Sequence, residues 1–195
     1  LNFEKPIVIA HSYSGLLLTK YFEEIKNRDK VAGAVWLCSL PPSGERFLIL
    51  RYILRFKKIL KVVKRVLQGR LENKIDIEKL LFYDDKFDLN KVEEYINFFK
   101  LDRKTNLDLK LIDKNLINKK LFEDENKWNQ KDNKLVIGSY NDFILDPISV
   151  RETSKLVNSN SPIFLRNSGH NLMLDTYWKE AANIILDYLN NNYTK

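Results

Sequence analysis

The stretch PIVIAHSYSGLLLTKYFEEIK, residues 6–26, sets two serines in a short polar cluster between an apolar run and an amphipathic one. A serine hydroxyl becomes a nucleophile when a base takes its proton and a sharp turn presents its oxygen. A strand-to-helix turn presents it and aims backbone N–H groups at the helix N-terminus, where negative charge is favoured. Such a turn wants small residues two before and two after the nucleophile. For Ser12 these are Ala10 and Ser14, with Gly15 following; for Ser14 they are Ser12 and Leu16, and a leucine crowds the turn. Ser12 is the preferred nucleophile, in the pattern A-x-S-x-S rather than G-x-S-x-G. The competing reading is a polar turn in which Ser12 or Ser14 merely caps the helix.

The base has two candidates, since the chain contains two histidines. His11 adjoins Ser12, and successive side chains around a turn point apart, so it is expected to pack beside the turn. His170, in SPIFLRNSGHNLMLDTYW, follows an apolar run on a loop with Gly169 and is the expected base. An imidazole acting on a serine needs a carboxylate on its other ring nitrogen to hold the tautomer and stabilise the imidazolium. KLVIGSYNDFILDP offers Asp142 and Asp146. Asp142 lies closer to the end of the apolar run and is preferred. Asp146, just before Pro147, reads as a turn or helix-cap residue and is kept as the alternative acid.

These residues need a scaffold that brings them together. Pro6 to Ala10, Val31 to Cys38, Lys134 to Ile137 and Pro162 to Leu165 are continuous apolar runs of strand length. Helical spacing follows the first run at Leu17, Leu18, Tyr21, Phe22 and Ile25. Further helices are expected over 148–157 and 176–190, the second with Tyr177, Ala181, Ile184, Ile185, Tyr188 and Leu189 on its apolar face. Apolar strands alternating with helices imply an α/β fold, a mostly parallel sheet covered on both faces. Loops at the carboxyl ends of such strands form the edge where ligands bind.

The order Ser…Asp…His, each after its own strand, resembles the α/β-hydrolase superfamily, in its serine esterase and lipase-like branch with a helical cap. PIVIAHSYSG is similar to that family's nucleophile strand and elbow, VWLCSLPPSG to the next strand and the entry to the cap. KLVIGSYNDFILDP is similar to the acid strand and loop, and NSGHNLMLDTYWKEAANIILDYL to the histidine loop and last helix. The resemblance implies the C-terminal part of the fold: residues 1–44 and 133–195 as hydrolase core and 45–132 as a cap or lid insertion. It implies a hydrolase that cleaves carboxylic esters through an acyl-enzyme, with the Tyr13 N–H as one oxyanion donor. The second donor comes from a loop with no counterpart here. The one methionine is Met173, so an upstream segment of the same protein is expected to complete the sheet and the oxyanion hole. A small-molecule binding protein that does no chemistry, and a lyase or thioesterase using the same triad, are the alternatives.

Composition limits the other classes. The chain has 195 residues, 44% hydrophobic, enough for one core, and its single cysteine cannot form an internal disulfide. With no signal peptide or spanning segment in view, the cytoplasm is the expected compartment. No clustered His, Cys and carboxylate spacing suggests a metal, and no cofactor is expected. The net charge of +7 comes from lysine spread along the chain without a nucleic-acid-binding motif, so no nucleic acid partner is expected. In the insertion, residues 46–67 alternate Arg51, Arg55, Lys58, Lys61 and Arg65 with Ile53, Phe56, Leu60, Val63 and Leu67. Such a basic amphipathic helix suits a cap over the core, an acyl-pocket lid, or peripheral contact with an anionic membrane. A helix over 89–100 is expected to follow, and 122–134 reads as a solvated connection back to the sheet.

Overall fold

The computed structural model describes residues 5–44, 78, 80–83, 88–101, 117–122 and 133–193. The basic helix expected over 46–67 and most of the connection over 122–134 lie outside the described residues. So do the bounds of the insertion.

The four apolar runs are strands of one parallel sheet, in the order β1 (Ile7–His11), β2 (Gly33–Leu37), β3 (Lys134–Ser139) and β4 (Ile163–Leu165). Every residue of β2 and β3 is buried, which is why these segments read as unbroken apolar runs rather than alternating ones. The alternation lies in which face each residue serves. Ala10, Ala34, Trp36 and Val136 point to one core with Leu16, Leu18, Phe22, Val150 and Val157. Val35, Leu37, Leu135, Ile137 and Leu165 point to the other, with Ala181 and Tyr188. Helices α1 (Tyr13–Tyr21) and α4 (Pro147–Leu156) thus cover one face, and α5 (Trp178–Tyr193) covers the other. A short α2 (Ile25–Arg28) follows α1, and α3 (Leu89–Leu101) forms between β2 and β3 in the chain as its spacing predicts.

Two helical faces differ from the sequence reading. Helix α1 stops at Tyr21; it buries Leu16 and Leu18 but leaves Leu17 and Tyr21 exposed. Tyr177 precedes α5 and is exposed, whereas Ala181, Ile184, Ile185, Tyr188 and Leu189 pack as expected. Spacing finds a helix but fixes neither its first and last residues nor how far round its circumference the sheet reaches.

The described residues at both ends of the segment between β2 and β3 are fastened to neighbouring elements. The Glu152 carboxylate on α4 accepts the Ser43 N–H (3.0 Å) and hydroxyl (2.8 Å) at the entry and Lys119 (3.3 Å) at the exit. Glu23 accepts the Asn118 N–H at 2.7 Å. No helix of the described residues is long and apolar enough to cross a membrane.

Candidate active site

Ser12 follows β1 directly and is the N-cap of α1, with φ 54° and ψ −122°. A non-glycine residue held there costs on the order of 1–3 kcal/mol, and such strain collects where a side chain must be presented. The backbone is pinned on both sides: the Ser12 N–H donates to Leu37 O (3.0 Å), and Ser12 O accepts from Gly15 N (3.1 Å) and Leu40 N (3.0 Å). The Ser12 side chain makes no capping hydrogen bond. Its oxygen instead lies 2.9 Å from His170 Nε2. His170 Nδ1 lies 2.8 Å from Asp142 Oδ2. Asp142 Oδ1 accepts the N–H groups of Ile144 (2.7 Å) and Leu145 (2.8 Å), so the carboxylate is held by its own loop. His170 and Asp142 are buried.

The structure therefore joins Ser12, His170 and Asp142 in one hydrogen-bonded chain across the carboxyl ends of β1, β3 and β4. It does not bring Asp146 to them. Asp146 is the N-cap of α4, where Oδ1 accepts from the Ser149 N–H (2.9 Å) and hydroxyl (2.6 Å). Tyr13 is the first residue of α1, so its N–H has no acceptor inside the helix.

The tight spot in the turn lies one residue later than the sequence rule placed it. Ser14 is exposed, and Gly15 is buried. A Cβ at Gly15 would lie 2.5 Å from Ser39 Cβ and 3.2 Å from Ser39 Cα, in the loop after β2. Gly15 O also accepts from the Trp36 indole (3.2 Å) and the Thr19 hydroxyl (2.8 Å). Gly15→Ala is expected to destabilise the protein by about 1–3 kcal/mol in urea unfolding, the usual range for overpacking. Adding Ser39→Gly should recover most of that loss, and a double variant as unstable as the single one would place the strain elsewhere.

His11 packs beside the turn, as anticipated, but has a partner that adjacency could not reveal. Its Nε2–H donates to the main-chain carbonyl of His170 at 3.0 Å, and the two rings lie 4.7 Å apart. Burial, and then the neighbouring His170, lower its pKa from 6.5 to about 4. The unfolded chain therefore binds this proton first as pH falls. Stability attributable to His11 is intact above about pH 6.5 and is lost between 6.5 and 4. The whole window corresponds to a loss on the order of 3 kcal/mol. His11→Gln should show a smaller drop in urea midpoint between pH 7 and pH 4.5 than the parent chain. Equal drops would contradict this account.

Cys38 is the residue that sequence reasoning passed over. It follows β2 at φ 39°, fully buried. A ligand atom from each of Cys38, Asp142 and His170 lies within 4.8 Å of the other two. Sequence spacing showed no such group because its members come from three separate strand ends. Burial, with the nearby Asp142 charge, pushes the Cys38 thiol well above its usual range. A metal takes the thiolate, which this setting disfavours, and the carboxylate and imidazole already bond one another. The donor set suits the hydrogen-bonded chain better than a cation.

Comparison with known proteins agrees with this geometry. A family model described as the alpha/beta hydrolase fold matches residues 1–177. The chain belongs to the α/β-hydrolase family. Among solved structures, this α/β-hydrolase is similar to a thermophilic esterase, with TM-score 0.61 and 17% identity over 97% of this chain and 67% of that one. It is similar to the 2-hydroxy-6-oxo-6-phenylhexa-2,4-dienoate hydrolase of Rhodococcus sp. strain RHA1, with TM-score 0.57 and 13% identity over 96% and 64%. It is also similar to the monoacylglycerol lipase of Paleococcus ferrophilus, with TM-score 0.51 and 18% identity over 97% and 69%. The α/β-hydrolase chain thus spans about two-thirds of the length of these structures. No curated protein matches it.

Proposed function

We propose that this chain carries the catalytic triad of a serine hydrolase that cleaves carboxylic esters through an acyl-enzyme. The carrying observation is the hydrogen-bonded chain from Ser12 Oγ through His170 to Asp142, starting at a strained strand-to-helix turn. His170 Nε2 takes the Ser12 proton as the oxygen attacks the ester carbonyl. The bond to the alcohol breaks as His170 returns that proton to the leaving oxygen. The same nitrogen then deprotonates the water that attacks the acyl carbonyl and returns that proton to Ser12 Oγ as the acyl–oxygen bond breaks and the acid leaves. Asp142 holds Nδ1–H throughout and stabilises the imidazolium.

The Tyr13 N–H, at the positive end of α1, serves as one oxyanion donor. We place the second on a segment that pairs with the outer edge of β1, where Ile9 is 51% exposed at the rim of the sheet. Two similar structures, a thermophilic esterase and a monoacylglycerol lipase, support an ester as substrate.

The test is labelling by a fluorophosphonate, which reacts with activated serines, followed by peptide mapping. Labelling on the peptide that contains Ser12, absent in Ser12→Ala and His170→Ala, is expected. A chain that stays unlabelled, or is labelled elsewhere, would falsify the proposal. A panel of p-nitrophenyl esters of increasing acyl length, with a thioester beside it, then reads the substrate class.

A further inference from the structure

Between the end of β4 at Leu165 and the start of α5 at Trp178, the chain has no regular secondary structure, yet it carries His170. The backbone of such a loop must find its hydrogen bonds elsewhere. Much of that role falls to Asp175, a 1% exposed carboxylate five residues after His170. Its Oδ2 accepts the N–H of Gly169, the residue before His170, at 2.7 Å. The same oxygen accepts the N–H of Tyr83 at 3.0 Å, from a residue 92 positions earlier in the insertion. Oδ1 accepts the Thr176 N–H at 2.7 Å. On the other side of His170, the Asn171 N–H donates to Leu81 O at 2.8 Å. Both neighbours of the histidine are thus tied to residues 81–83, one directly and one through Asp175.

The packing is close. A Cβ on Gly169 would lie 2.7 Å from Leu81 O and 2.8 Å from Phe82 Cα, both backbone atoms that cannot swing aside. Leu80, Leu81 and Phe82 form an apolar cluster that also takes in Leu174 from the histidine loop and Ile144 from the acid loop. Ile144 is the residue whose N–H is held by Asp142 Oδ1. One short segment of the insertion therefore abuts both the base loop and the acid loop.

We infer that Asp175 is a positioning residue for His170, clamping the histidine loop to residues 81–83 so that the insertion sets the imidazole's approach to Ser12. This rests on the reading of His170 as the base. A displacement of about 1 Å between reacting groups can lower a rate by about a hundredfold, so a clamp remote from the substrate has leverage on kcat. Without the carboxylate, the buried Gly169 N–H and the part-buried Tyr83 N–H lose their acceptor, and the loop relaxes. An asparagine keeps one oxygen for those two donors but turns its own N–H₂ toward Thr176 N–H.

The experiment compares Asp175→Ala and Asp175→Asn in the full chain. It reads ester hydrolysis, far-UV circular dichroism, and the low-field proton resonance of His170 Nδ1–H shared with Asp142. Expected for Asp175→Ala is a kcat lower by about a hundredfold with KM within about threefold, and a broadened or lost low-field proton. Asp175→Asn should recover part of both and, if the alanine variant does not fold, decides the matter alone. Wild-type kcat and an unchanged proton in the folded variants overturn the inference. So does a lower kcat with an unchanged proton, which would assign Asp175 to the substrate cavity. The proton readout needs no turnover: a parent chain that shows it without fluorophosphonate labelling sinks the hydrolase reading, and the clamp is still judged on whether Asp175→Ala removes it.

Discussion

Exchanging Ser12 for alanine is expected to lower kcat/KM for an ester by at least about 10⁴-fold, while the urea midpoint stays close to that of the parent chain. The oxygen lost is the atom that His170 Nε2 contacts at 2.9 Å, and it makes no cap bond to α1. The turn itself is held by main-chain groups, Ser12 N to Leu37 O and Leu40 N to Ser12 O, and those survive the substitution. Loss of rate without loss of fold is the signature of a side chain presented for chemistry. Retention of most of the rate in Ser12→Ala would remove the nucleophile from this account.

The second large effect separates two aspartates that lie four positions apart. Asp142→Asn is expected to lower kcat by about 10⁴-fold. The Asp142 carboxylate faces His170 Nδ1 with one oxygen and the N–H groups of Ile144 and Leu145 with the other. An asparagine that keeps its oxygen toward those two donors must turn its N–H₂ toward Nδ1. The imidazole then carries its proton on Nε2, the atom that should accept from Ser12, and the base is lost with little change in shape. Asp146→Ala should instead cost about 1 kcal/mol of stability through the lost cap of α4, with kcat within about twofold. Rates measured beside urea unfolding for both variants give the answer. Equal kcat losses at the two positions would sink the assignment of the acid.

Why one aspartate was preferred from sequence, and the other was not, has a simple basis. A residue three positions past the end of a buried strand has little freedom to go anywhere but the carboxyl edge of the sheet. Pro147 marks the start of a helix and makes the residue before it a cap. The histidine yielded to the same logic, because His170 follows β4 on a loop while His11 is fixed beside Ser12. The packing rule chose Ser12 over Ser14, but the residue under compression is Gly15, against Ser39. That contact joins two loops and leaves no mark in local spacing.

The linear chain was enough for the α/β class, the four strands of the described sheet, and the three residues that now meet. Each rests on short-range signals: unbroken apolar runs, helical spacing, and a chemically capable residue just past a strand. What the folded molecule adds is contact between distant segments. His11 reaches the carbonyl of His170, the Cys38 thiol sits beside the acid, and Asp175 ties the base loop to Tyr83. These depend on directions in space rather than intervals along the chain. A parallel sheet brings strand ends to a common edge, but the angle of each side chain there is set by neighbours tens of residues away.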